Sequence, residues 1–255
     1  MEQPLVSIVL TLYEISIDYL NKCIDSLLKQ SYDNIEIIIV DDCSPITDYS
    51  YLTSLSPKIK LYRNETNLKM NKTLAKCFEL ARGKYIVRVG PDDYIAPTLI
   101  EKEVKILENN PKVGTVCCNI KKFENNNKII FRPKTWNITK ILQGELKGTG
   151  YDGGMMFRSS LLPFISVNLE HKVCIDFDLQ LQLLEQMPIK TLAEPLYFYR
   201  INKKCISSSV LGKAREIIMN EILDRHRKKL NITYIPKPIV HKPKNKKVVK
   251  KREFF

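Results

Sequence analysis

An α/β fold, with a mostly parallel, Rossmann-like sheet flanked by helices, is what the first 120 residues predict. Apolar runs rich in β-branched residues alternate there with segments of helical period. Two of the runs, Glu36–Val40 and Tyr85–Val89, give way to paired acids, Asp41-Asp42 and Asp92-Asp93, with a helical pattern between them. Beyond residue 120 the alternation loosens into a smaller second region.

Taken in order, Leu5–Leu12 reads as a buried strand. Asp18–Lys29 places Leu20, Cys23, Ile24 and Leu27 at helical spacing. Ile35–Val40 is a second strand and Ile59–Tyr62 a short third. Leu74, Phe78 and Leu80-Ala81 mark a helix stopped by Gly83, before a strand at Tyr85–Val89. After Pro97, Thr98 and Glu101 form a capping-box pattern that opens a helix to about Asn110. Val113–Ile120 is strand-like again. Further on, a hairpin flanks the polar turn Glu124–Lys128, and Met155–Phe157 is a short strand. Asp178–Gln186 reads as a helix, Pro195–Arg200 as an edge strand and Gly212–Lys229 as a last amphipathic helix. Residues 1–230 are therefore expected to form one domain, divided near residue 120, with 231–255 as a basic flexible tail carrying three prolines.

Composition narrows the function classes. The hydrophobic content of 44% is that of a globular protein, and no apolar stretch approaches the roughly 18 residues that span a bilayer. Seven scattered cysteines without a C-x-x-C read as reduced core thiols, and the N-terminus carries no leader pattern, so a cytoplasmic location is expected. The net charge is +13, and seven Lys and one Arg between Lys237 and Arg252 supply over half of it. That tail suits an anionic membrane surface. The rest of the chain is too mildly basic to make nucleic acid the expected partner. Three dispersed histidines form no metal-ligand spacing, and no P-loop is present. A G-x-G-x-x-G at Gly148–Gly153 lacks the strand-turn-helix context that gives its glycines meaning.

The acid pairs carry the chemistry. In an open α/β sheet, ligands bind outside the carboxyl ends of the strands. Two pairs delivered to that edge could gather a polar ligand and a hard divalent cation, which prefers oxygen donors. An aspartate pair also starts turns, which is the structural alternative.

Three stretches then bear a specific resemblance: Val6-Ser-Ile-Val-Leu-Thr11, Leu20 through Ser26 to Gln30-Ser-Tyr32, and Glu36-Ile-Ile-Ile-Val-Asp41-Asp42 with Ser44. With Gly83-Lys-Tyr85-Ile86 leading to Asp92-Asp93, the chain resembles the inverting family 2 glycosyltransferases, whose fold is GT-A. The likeness runs through residues 5–120 and returns at 155–209. It implies that Thr11 and Asp42 surround the nucleotide base and ribose, with Asp42 accepting the N3–H of a uracil ring. Asp41 would order that pocket and Asp92 would meet the ribose or sugar. Asp93 would hold a Mg²⁺ or Mn²⁺ on the diphosphate, where a cation stabilises the departing charge. In Cys174-Ile-Asp176-Phe-Asp178, Asp176 matches the catalytic base, and a helix N-cap is its structural alternative. Arg200, in Tyr199-Arg200-x-Asn202, would lie near the diphosphate, and Gly153-Gly154 would line either an acceptor site or a tight turn.

The pattern departs from the family at Gly90, Ile175, Gln182 and Asn202, where an acid, Glu, Arg and His are usual. The implied activity is transfer of a sugar from a UDP-sugar to a glycan, lipid or protein hydroxyl. The alternatives are a non-catalytic sugar-nucleotide binder, motivated by those departures, and an anionic-surface or nucleic-acid binder, motivated by the tail.

Overall fold

The computed structural model describes residues 3–45, 47–123, 128–146, 153–171, 173–201 and 212–235. The first half, named the donor half for the role proposed for it below, comprises β1 (Val6–Leu12), α1 (Ile17–Leu28), β2 (Ile35–Asp41), α2 (Leu52–Leu55), β3 (Ile59–Arg63), α3 (Lys69–Leu80), β4 (Tyr85–Arg88), β5 (Tyr94–Ile95) and α4 (Leu99–Asn109). The second half comprises β6 (Thr115–Phe123), β7 (Ile129–Ile130), α5 (Ile138–Leu142), β8 (Met155–Arg158), a 3₁₀ turn (Ser159–Phe164), α6 (Ile175–Gln186), β9 (Ile189–Arg200) and α7 (Gly212–Leu230).

One sheet unites both halves, in the order β3-β2-β1-β4-β8-β6-β9-β5, with β7 on β6. The first four strands are parallel. β8 then runs antiparallel to both β4 and β6, β9 is parallel to β6, and β5 is antiparallel to β9. Parallel pairing thus runs unbroken through β3-β2-β1-β4 and returns once at β6-β9, and the sheet as a whole is mixed.

The near-continuous apolar runs follow from burial on both faces. Along β1, Val6, Ile8, Leu10 and Leu12 pack beneath Leu20, Ile24 and Leu27 of α1, while Val9 faces Leu74, Cys77 and Phe78 of α3. Helix α6 is enclosed as well. Its Leu179 and Leu183 join the α3 side, and Phe177 and Leu181 join Trp136, Leu142 and Ile222 of α7.

Several expectations shift. α6 begins three residues earlier than the pattern implied, since apolar Ile175 and Phe177 extend its buried surface. Cys174, in the left-handed region at φ 64°, is its N-cap, so Asp176 lies inside the first turn and is not the cap. Thr98 makes no side-chain cap bond, and Glu101 accepts a hydrogen bond from Ser31 Oγ at 2.7 Å. β9 is twelve residues long and is not an edge, since it pairs with β6 on one side and with Tyr94-Ile95 on the other. The flanking hairpin is present as β6–β7. Cys23, Cys77, Cys117, Cys118 and Cys174 are free and buried. No described helix is long and apolar enough to cross a membrane. The basic tail beyond residue 235, Cys205, Asn202 and most of the Gly148–Gly153 motif lie outside the described residues.

Candidate donor site and catalytic carboxylates

Parallel pairing brings the ends of β1, β2 and β4 to one edge. Thr11 stands opposite Val40 and Leu12 opposite Asp41, and the Asp42 N–H donates to Leu12 O at 2.8 Å. The chain leaves β4 at the same edge, with Val89 N–H donating to Val9 O at 3.1 Å. The alternating patterns at 6–12, 35–41 and 85–88 therefore deliver Thr11, the first acid pair and the second acid pair to a common rim.

The first pair is firmly held. Asp41 pairs with Arg63 and accepts from Ser44 N–H at 3.1 Å, while Arg63 also donates to Ser44 O at 2.8 Å. This closes the turn after β2. Asp42 Oδ1 accepts from Leu68 N–H at 2.7 Å and Asn64 Nδ2 at 2.9 Å, and Asn64 Oδ1 accepts from Lys76 Nζ at 2.8 Å. A carboxylate so fixed presents a preset acceptor at the rim.

The second pair is built differently. Asp93 is 4% exposed, whereas Asp92 is only partly buried. Tyr197 OH donates to Asp93 Oδ2 at 2.5 Å and accepts from Gly90 N–H at 3.0 Å. Arg200 N–H donates to Asp93 Oδ1 at 2.8 Å. Burial, reinforced by the neighbouring Asp92 charge, pushes the Asp93 carboxyl well above the usual carboxylate range. Burial also raises Asp92, against the opposing pull of Arg200 and Arg88.

Arg200 is 1% exposed. Its Nε donates to Asp92 O at 2.7 Å, and its guanidinium lies 3.9 Å over the Tyr19 ring and 4.6 Å over Phe123. It braces the acid turn from beneath. Tyr197 and Arg88 were not singled out from the sequence. Arg88 carried one available signal, a lone cation in an apolar run two residues before Gly90. Tyr197 carried none, since an aromatic on a strand reads as core.

Among the described residues, no group of three or more His, Cys, Asp or Glu is arranged to hold a metal. The Asp92-Asp93 pair nevertheless fits a hard divalent cation. Its donors are all oxygen, and the two carboxylates are desolvated and mutually repelling, a cost that a cation would relieve. Mg²⁺ characteristically takes one or two protein carboxylates and completes its shell from phosphates and water.

Asp176 stands on a separate element, partly buried in the first turn of α6. The loop before it is tied to the donor half, for Asn71 Nδ2 of α3 donates to Asn168 O and, at 2.7 Å, to His171 O. Gln182, where Arg is usual, holds the same loop through Ser166, accepting from its N–H at 2.8 Å and donating to its C=O at 2.9 Å. Two residues on from Asp176, Asp178 is 2% exposed and bonded to Arg225 and to His226 Nε2 at 2.9 Å. His226 Nδ1 faces Glu185, which also binds Lys229 at 2.5 Å. Burial lifts Asp178, but His226 and Arg225 outweigh it and hold the carboxyl below its ordinary range. This cluster fastens α7 to α6. At Gly153, an added Cβ would come within 2.5 Å of the Tyr197 ring, so the turn reading of Gly153-Gly154 accounts for that glycine.

The Glycosyl transferase family 2 profile matches residues 7–162. Putative glycosyltransferase EpsH of Bacillus subtilis is 26% identical over 225 residues, covering 81% of this chain and 63% of the relative. EpsE of the same organism is 37% identical over 113 residues, covering 42% of this chain and 40% of the relative. The chain thus spans from about two fifths to three fifths of the length of these relatives. S. aureus TarS 1-349 in complex with UDP-GlcNAc superposes with a TM-score of 0.69 at 20% identity, over 85% of this chain and 65% of that one. The mannosyltransferase PcManGT from Pyrobaculum calidifontis, solved with GDP-Man and Mn²⁺, gives 0.63 at 17% identity, over 92% and 66%. With a profile match over residues 7–162 and a sheet edge that presents both acid pairs, the chain belongs to glycosyl transferase family 2.

Proposed function

We propose that this chain is an inverting glycosyltransferase that moves a sugar from a UDP-sugar to a hydroxyl of a glycan, lipid or protein acceptor. The observation that carries the reading is the Asp92-Asp93 pair, with Asp93 buried and clamped, at the edge where Asp42 follows β2. Asp42, with Oδ1 already bonded to Leu68 and Asn64, serves as acceptor for the N3–H of uracil, and Thr11 borders the same pocket. Asp92 and Asp93 would hold Mn²⁺ or Mg²⁺, which when bound supplies positive charge to the leaving diphosphate. Arg200 and Tyr197 keep that pair in place. Asp176 takes the proton of the attacking hydroxyl as it displaces the diphosphate in line, so the anomeric configuration inverts.

Calorimetric titration with UDP, with and without Mn²⁺, tests the donor assignment. Metal-dependent UDP binding, weakened by Asp42→Ala and stripped of its metal dependence by Asp93→Ala, is expected. Tight GDP binding in place of UDP would reassign the base pocket, and absence of binding by either nucleotide would remove it. The Lys-rich segment 237–252 supports contact with an anionic membrane, at about 1 kcal/mol per basic residue near the headgroups. Equal sedimentation of full-length and truncated chains with anionic liposomes would exclude that contact.

A further inference from the structure

Gly90 stands where the family pattern has its first acid, and its backbone does not call for glycine, since its φ lies outside the left-handed region that L side chains avoid. Space is what requires it. A Cβ at position 90 would lie 2.5 Å from Asp93 Oδ2, a collision, and 3.4 Å from Asp92 Oδ1, an ordinary contact, so the Asp93 carboxylate fills the place of a side chain there. A carboxylate on a mobile stem could step aside, but this one is tethered. Tyr197 OH holds Oδ2 at 2.5 Å and Arg200 N–H holds Oδ1 at 2.8 Å. Tyr197 itself is 1% exposed, and its ring lies against Gly153, where an added Cβ would meet it at 2.5 Å. The same hydroxyl accepts from Gly90 N–H at 3.0 Å, and Asp93 N–H donates to Gly90 O at 3.0 Å to close the turn.

We infer that Tyr197 is a positioning residue that holds the Asp93 carboxylate in the volume a side chain at position 90 would need, so that this chain's cation site is assembled around glycine. The inference rests on the donor-site reading above and deepens it. The missing first acid is then no lesion. Its space has been reassigned to Asp93, and Gly90 and Tyr197 are a matched pair whose effects depend on each other.

The consequence runs against the family pattern. Gly90→Asp, which restores the usual acid, displaces Asp93 and should weaken Mn²⁺ binding in the presence of UDP about tenfold, the scale of one charged hydrogen bond. Tyr197→Phe should weaken it by a similar factor while leaving metal-free UDP affinity and the far-UV spectrum unchanged. Because Tyr197→Phe frees Asp93 to swing away, the double variant should bind Mn²⁺ no more weakly than Gly90→Asp alone. Residues that share one tether couple in this non-additive way. The readouts are calorimetric Mn²⁺ affinity and the electron paramagnetic resonance spectrum of bound Mn²⁺, both independent of turnover. Gly90→Ala, which adds only the colliding Cβ, answers the same question if Gly90→Asp does not fold. Tighter Mn²⁺ binding by Gly90→Asp, or losses that simply multiply in the double variant, would overturn the inference while leaving the donor site intact. Wild-type protein that shows no Mn²⁺-dependent UDP binding would overturn the donor-site reading itself.

Discussion

Buried carboxylates stand at both edges of the donor half of the sheet, and they are treated in opposite ways. At the amino edge, Glu36 accepts from Ser7 Oγ at 2.6 Å, Lys60 Nζ at 2.6 Å and Arg82 N–H at 2.8 Å. Burial lifts its carboxyl, but these partners outweigh it and hold it below the ordinary range. At the carboxyl edge, Asp93 has one hydroxyl, one amide and a second carboxylate beside it, and burial drives it well above that range. The first arrangement stabilises the fold at neutral pH. The second stores an electrostatic cost that a cation could relieve. Within one turn of α6, Asp178 is locked by His226 and Arg225, and Asp176 is partly exposed.

The largest effect should break the pair on α6 apart. Asp176→Asn keeps shape but cannot take a proton, and turnover should fall about 10²–10⁴-fold with UDP affinity unchanged. Asp178→Asn should instead destabilise the chain by about 3 kcal/mol, because it leaves buried partners uncompensated, and the folded fraction should retain turnover. Thermal melts alongside initial rates separate the two, and the reversed pattern would move the base to Asp178.

At the amino edge, Glu36→Gln should lower stability by about 2 kcal/mol in urea titrations at pH 7, since it weakens hydrogen bonds to a charged group. The sign of its pH dependence follows from the lowered folded-state pKa. The stabilisation is present above the unfolded-state value near 4.3 and is lost as pH falls through the folded-state value, so variant and wild type should converge in acid.

At the carboxyl edge the sign should invert. Asp93→Asn keeps an acceptor for Arg200 N–H and leaves Tyr197 OH without one, but it removes a buried charge whose desolvation costs more than that one bond, so without metal it should melt about 2–4 °C higher, as a gain of about 1 kcal/mol implies for a chain of this size. Mn²⁺-dependent UDP binding should be lost in the same protein. A lower melting point would mean that Asp93 is a structural acid like Glu36, and the comparison would collapse. The smallest effect belongs to Asp25→Asn in the Lys29–Asp25 pair on α1, whose side chains are 68% and 59% exposed. No measurable change in Tm is expected, since exposed pairs contribute little.

Much of this was legible in the chain itself. Strands β1 to β4 and the helices α1, α3, α4 and α6 follow from local patterning, because a continuous apolar run and a 3.6-residue period report which residues are buried, whereas the short β5 and α2 carry no such signal. The acid pairs were visible for the same reason, as charges that end apolar runs. Less legible were the length and place of β9 and the early start of α6. Both depend on partners far along the chain, Tyr94-Ile95 in one case and the packing of Trp136 and α7 in the other.

The α/β class, the order of the long donor-half elements and the two acid pairs at strand ends are readable from the chain alone, since those are local properties of pattern and polarity. What the folded structure adds is that Asp93 is clamped by Tyr197 and Arg200 from more than a hundred residues away, that Arg200 is a buried brace, and that Asp178 is held to α7 by Arg225 and His226. The physical reason is that a carboxylate's role is set by its desolvation and its hydrogen-bond partners, and those partners come from strands and helices that meet only when the sheet closes.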